Sequence, residues 1–267
     1  LKDRGPGAIV KRCDPAGREE RIAMGFKDYM ERRREAGAVR KIERLRNRLM
    51  QEHHQTAERK RAIAELDQIG SEEAIYALLG RFTYHTPGSI VDEDEKQLVF
   101  QVLRRMGATA VPALEEFVRR EKTIYWPLRT LSELAGEDRA VEVLLEALDS
   151  IEDRWEQSME RMNNLVSCLR DFQHPLVLKR LIELARDDFE EIRFLSVDGL
   201  STFDDEQGAV DAILERLLDP KETVRVKTYI TDLLLERKWN VKHFKKRLAG
   251  HLPEGFFIDD TGAIQRR

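Results

Sequence analysis

The chain has 267 residues, 41% of them hydrophobic and 36% charged, with 15 Gly, 8 Pro and 2 Cys. That composition excludes a collagen-like, low-complexity or disulfide-dense protein, and no apolar run approaches the ~18 residues a membrane helix needs. The net charge of −4 conceals an imbalance, because residues 1–61 carry a net +8 and the remainder a net −12.

Taken in chain order, residues 1–15 combine Gly, Pro and charge and read as a disordered basic arm. Cys13 lies here and Cys168 far away, without ligand spacing, which reads as two reduced thiols in a cytoplasmic protein. Residues 16–55 read as basic amphipathic helices. Ile22, Phe26 and Tyr29 form one apolar stripe, and Val39, Ile42, Leu45 and Leu49 form a second.

From residue 56 to 250 one pattern recurs, in SEEAIYALLGRF, TAVPALEEFVRR, DRAVEVLLEALDS, HPLVLKRLIELARD, EQGAVDAILERLL and, more loosely, NVKHFKKRLAG. Its anchors are Ile75, Val111, Val141, Val177, Val210 and Val241, separated by 36, 30, 36, 33 and 31 residues. Apolar residues at i, i+3, i+4 and i+7, as in Val141, Leu144, Leu145 and Leu148, share one helical face. Before each copy runs another amphipathic segment, closed by Gly70, Gly107, Gly136 or the break at 200–205.

Start signals answer these stops. Ser71 can cap the helix after Gly70, Asp204 with Gln207 and Asp219 with Glu222 have capping-box spacing, and His174-Pro175 opens another helix. Pro220 reads as a first helical residue, and Pro127 as a first-turn residue or a kink. Each unit is thus helix, tight turn, helix, and a hairpin with one apolar stripe must stack on its neighbours to bury it. After residue 250, Phe256–Ile258 and Ala263–Ile264 flank Asp259-Asp260-Thr261-Gly262, which reads as a short hairpin covering the open end.

The segments DDFEEIRFLSVDGL and DPKETVRVKTYITDLL resemble the first helix of a HEAT repeat, with Ile192-Arg193 and Val224-Arg225 at its Val-Arg pair. AVEVLLEAL and AVDAILERLL resemble its second helix, and the repeats are similar to the short ones of phycobilisome lyase subunits. The expected fold is therefore all-α: a right-handed α-solenoid of about six HEAT-like hairpins over 56–250, N-terminal helices before it, and a β-hairpin-like cap over 251–267. The resemblance implies architecture far more than function, since such arrays serve as scaffolds, adaptors and a few enzymes.

Candidate functional residues fall into two groups. On the second helices, the polar positions beside the anchors would line the concave wall: Glu115, Arg119, Glu142, Glu146, Lys179, Glu183, Asp211 and Glu215. Arg32, Arg33 and Arg34, the row Arg40, Arg44 and Arg48, and Lys242, Lys245 and Lys246 on the last helix could instead meet a polyanion. The acidic run Asp92, Glu93, Asp94 and Glu95 reads as favourable charge at the start of a helix. No His is followed by Glu, unlike the iron-binding deoxyhypusine hydroxylase branch of HEAT-like enzymes, and no GxSxG, P-loop or GxGxxG occurs. Trp126, Trp155 and Trp239 read as packing residues. The expectation is a non-catalytic scaffold or adaptor with a protein partner and no metal or cofactor; a nucleic-acid-associated protein using the basic N-terminal arm is the alternative, and a HEAT-like enzyme such as a lyase ranks third.

Overall fold

The computed structural model describes residues 37–266 apart from 52–54, 87, 153–155, 204–206, 240 and 249. Arg32, Arg33, Arg34, Asp204, Trp155 and the expectations for 1–36 lie outside the described residues. The fold is all-α except for one small two-stranded sheet. Helix α1 covers 37–50. It is followed by α2 (Thr56–Ile69), α3 (Glu72–Leu79), α4 (Ser89–Met106), α5 (Val111–Arg120), α6 (Tyr125–Ala135) and α7 (Glu137–Asp149). Then come α8 (Glu156–Leu169), α9 (Pro175–Leu184), α10 (Glu190–Leu200), α11 (Gln207–Leu218), α12 (Val224–Glu236) and the single turn α13 (Lys245–Leu248). Strands β1 (Phe256–Ile258) and β2 (Ile264–Arg266) pair antiparallel, with Phe256 opposite Arg266 and Ile258 opposite Ile264. No described helix is long and apolar enough to cross a membrane.

Packing follows chain order. Helix α2 packs on α3, α5 on α6, α6 on α7, α9 on α10 and α11 on α12. Contacts two helices apart form four runs: α2–α4–α6, α8–α10–α12, α3–α5–α7 and α9–α11–α13. The reason is visible in the burial. Ile75, Val141, Val177 and Val241 are all at most 2% exposed, and Val111 and Val210 pack partly buried against the same core. The buried apolar residues of these helices form one continuous cluster.

Helix ends obey local chemistry. Gly70, at φ 59, ends α2, and its N–H donates to the Leu66 carbonyl. The Ser71 hydroxyl accepts from the Ala74 N–H at 3.3 Å and caps α3. The His174 ring accepts from the Leu176 N–H at 3.2 Å, with Pro175 at the first position of α9. Pro127 occupies the first turn of α6, where its missing N–H is harmless. Trp126 packs against Phe82 and Phe100, with ring centroids 6.3 and 5.4 Å away.

Three local expectations need correction. The capping box of Asp219, Pro220 and Glu222 does not form. The cap of α12 is Thr223, whose side chain accepts from the Val226 N–H, because Glu222 turns inward to Arg193 at 2.8 Å. Lys242, Lys245 and Lys246 do not share a full last helix. Lys242 stands in a 3-10 turn and the other two in the single turn α13, where Lys245 donates to the Asp259 carbonyl at 2.9 Å. Val39 does not join Ile42, Leu45 and Leu49 in the buried stripe and remains 54% exposed.

One glycine reflects a close approach. A Cβ on Gly199 in α10 would come within 2.9 Å of the fully buried Leu181 in α9. The C-terminal hairpin closes over the last helices. The Val241 N–H donates to the Gly262 carbonyl at 2.9 Å, and Ile264 is 2% exposed beside α12.

Candidate functional site

The wall expected from the sequence is largely occupied with itself. Glu115 of α5 receives Arg139 of α7 at 2.7 Å and Arg119 of its own helix at 3.0 Å. Arg119 also reaches Glu146 of α7 at 2.9 Å, and Arg139 reaches Glu142 at 3.0 Å. The hydrogen bond from Arg139, aided by Arg119 and opposed by burial, holds the Glu115 carboxyl below its ordinary range. Farther along, Arg180 pairs with Asp149 at 2.5 Å and lies 3.8 Å from Glu183. Arg186 pairs with Glu215 at 2.7 Å, Lys179 is exposed, and Asp211 is half-buried. These ion pairs stitch successive second helices together, so the expected contact residues serve first as internal ties.

The basic candidates are divided. Arg40, Arg44 and Arg48 are exposed on α1, opposite the buried Ile42, Leu45 and Leu49, so their shared face is real. Lys242 and Lys246 are exposed, whereas Lys245 is held by the C-terminal hairpin. No group of three or more His, Cys, Asp or Glu able to hold a metal occurs among the described residues.

The site that geometry brings forward lies at the N-terminal end, where α1 crosses α3. A groove of 760 Å³ opens there between α1, α3, the 3-10 turn Gly80–Thr83 and the end of α5. Its volume falls within the ~300–1,000 Å³ of sites that enclose ligands or a few side chains. Ile42, Ala77 and Phe117 are nearly buried and form an apolar floor. Val39 and Tyr76 stand exposed beside it, two of the eight large apolar side chains left exposed among the described residues.

Around that floor stand Glu43, Glu73 and Glu121, with Arg46 the one cation in the lining. None of the three carboxylates lies within ion-pair distance of a cation among the described residues; Glu73 accepts a hydrogen bond from the Ser71 hydroxyl at 2.8 Å, and Glu121 feels the more distant charge of Arg161. Burial, with the charges of Glu116 and Glu72, raises the Tyr76 hydroxyl pKa and keeps it a protonated donor.

A buried charge cluster anchors the 3-10 turn that contributes Gly80 and Thr83 to the groove. Arg81 is fully buried in the same 3-10 turn as Gly80 and Thr83. It donates to Glu95 at 3.1 Å, to Asp92 at 2.8 Å and to the Tyr84 carbonyl at 2.6 Å. Arg59 of α2 grips both Glu95 oxygens at 3.0 and 2.9 Å, and Lys96 reaches Asp92 at 2.6 Å. Burial raises the Asp92 pKa. Hydrogen bonds from Lys96, the Thr86 N–H and Arg81 outweigh that effect and hold the carboxyl well below the usual range. Five charges tie α2, α4 and the turn after α3 together, so the turn that borders the groove is held from within. Asp92 does stand in the first turn of α4, as read from the sequence, and both it and Glu95 also point inward and fasten the turn.

A smaller cleft of 260 Å³ lies between α6 and the turn after α8, lined by Tyr125, Arg129, Cys168, Asp171 and Phe172 among others. Burial pushes the Cys168 thiol up to about 12, and the Asp171 charge adds to the rise, so the thiol is a poor nucleophile. No protein-family model, curated protein or solved structure matches the chain.

Proposed function

We propose that this chain is a HEAT-like right-handed α-solenoid that works as a non-catalytic scaffold or adaptor, holding a protein partner against its second helices. The four runs of contacts between helices two apart support the array. In this reading the second helices form the concave wall, and the N-terminal end of that wall is where the partner engages. The observation that carries the binding role is the groove between α1, α3 and α5, open, apolar at its floor and bordered by carboxylates without ion partners among the described residues. Exposed apolar side chains grouped in a groove are the usual signature of a protein contact.

The test is capture of partners on the full chain from native lysate, with and without nuclease. A stoichiometric protein that survives nuclease is expected. Recovery that vanishes with nuclease would contradict the reading.

One observation favours a second reading. Arg40, Arg44 and Arg48 form an exposed row on α1 that could track phosphates of a nucleic acid. In that case affinity for duplex RNA or DNA falls steeply with salt, and charge removal along this row flattens the dependence.

A further inference from the structure

From the groove's chemistry we infer its ligand class: a basic amphipathic segment of a partner protein, one that inserts bulky apolar side chains between Val39 and Tyr76 and sets Lys or Arg against Glu43, Glu73 and Glu121. The inference rests on the binding reading above and adds the partner's chemistry to it.

Three features of the site converge. The floor of Ile42, Ala77 and Phe117 is apolar, so it rewards an aliphatic or aromatic side chain that leaves water. The lining carries three carboxylates against Arg46 alone, and Glu72 stands exposed next to Glu73. Arg46 stands exposed beside Gly80, where an added Cβ would come 3.8 Å from its Nε, and its single charge offsets only one of the three carboxylates. The carboxylates come from three different elements, namely α1, α3 and the residue after α5. A ligand that satisfied all three would bridge the elements.

The rest of the second-helix series is built differently. At Glu115, Glu146, Asp149 and Glu215 the protein supplies its own arginine at 2.5–2.9 Å. At the groove it places none within ion-pair distance among the described residues. An acidic peptide or a phosphate backbone would meet like charge there, which disfavours nucleic acid at this site. An amphipathic helix laid into a groove is a common way for a short segment to present apolar anchors and a charged face together.

The experiment measures binding of fluorescein-labelled peptides to the full chain by anisotropy at about 0.15 M salt. One peptide carries Leu and Lys at helical spacing, a second Leu and Glu, and a third Lys alone. The Leu/Lys peptide is expected to bind, and the other two at least about tenfold more weakly, a difference of roughly 1.4 kcal/mol. Tyr76→Ala and the triple variant Glu43→Gln, Glu73→Gln, Glu121→Gln should each weaken it about tenfold. A control triple, Glu93→Gln, Asp94→Asn, Glu236→Gln, removes as much charge from positions outside the groove and should leave it unchanged. Circular dichroism verifies that each variant is folded.

Equal losses in the two triples would overturn the proposal by showing non-specific attraction. Binding that appears only after residues 1–36 are removed would overturn it too, by assigning the groove to the chain's own N-terminal segment. A natural partner retained by the groove triple would sink this assignment while leaving the scaffold reading intact.

Discussion

Between α5 and α11, Glu115, Glu146, Asp149 and Glu215 each meet an arginine from the neighbouring hairpin. Between α1 and α5, Glu43, Glu73 and Glu121 have no arginine within ion-pair distance among the described residues, and Arg161 acts on Glu121 only from farther off. Both regions are helical, charged and built on the same apolar core. The first pairs its charges across neighbouring helices, and the second keeps its carboxylates beyond ion-pair distance of a cation among the described residues. The groove's edge also differs, since a buried ionic cluster holds the Gly80–Thr83 turn there.

The largest effect should come from that cluster. Glu95 is fully buried and receives both Arg59 and Arg81. Glu95→Gln leaves two buried guanidinium groups undercompensated and should cost about 3–5 kcal/mol of folding stability, read from the urea midpoint. A loss below about 1 kcal/mol would mean the cluster is hydrated and does not hold the turn.

Asp92 sharpens the same point by pH. Its folded carboxyl ionises well below the unfolded value of about 3.9. Its contribution is therefore full above that value and is lost as pH falls toward the folded pKa. Asp92→Asn should flatten this acid limb of the stability curve. An unchanged limb would show that other carboxylates govern it.

A smaller effect is expected on the stitched region. A double-mutant cycle on Arg119 and Glu146, 2.9 Å apart with Glu146 about half exposed, should give a coupling of ~0.2–1 kcal/mol that shrinks with salt. A coupling indistinguishable from zero would weaken the view that these pairs tie neighbouring helices.

An effect of similar size concerns neither region and serves as a reference. Lys238 follows α12 at φ 54, the one non-glycine in the left-handed region among the described residues. The Trp239 and Lys238 N–H groups close the helix end on the Leu234 and Leu235 carbonyls. Lys238→Gly relieves about 1–2 kcal/mol of backbone strain and raises unfolded-chain entropy by a smaller amount, for a net gain of about 0.5–1 kcal/mol. A loss of thermal stability in this variant would contradict that description of the turn.

Much of the helical framework was legible because its signals are local. The i, i+3, i+4, i+7 pattern placed Val141, Leu144 and Leu148 in the core, and Gly70 and Ser71 marked a stop and a start one residue apart. The site was far less legible, because its chemistry depends on separations along the chain. Asp92 and Glu95 look like helix-start charge alone until Arg81, 11 and 14 residues away, and Arg59, 36 residues from Glu95, turn inward to meet them. Glu115 and Arg139 are 24 residues apart, Arg119 and Glu146 are 27, and Arg186 and Glu215 are 29. Opposite charges separated by about one repeat were the available signal that those residues pair internally. The groove left no such trace, since Val39, Tyr76 and Phe117 come together only when α1 lies across α3.

The most direct test of the central claim is amide chemical-shift mapping on the isotope-labelled full chain, titrated with the Leu/Lys peptide. Shifts concentrated at Val39, Glu43, Tyr76, Gly80, Thr83 and Phe117, with Glu142, Glu146 and Glu215 unmoved, are the predicted result. Shifts spread along α7, α9 and α11, or centred on the paired residues there, would show that the stitched wall binds the peptide, and would contradict the account.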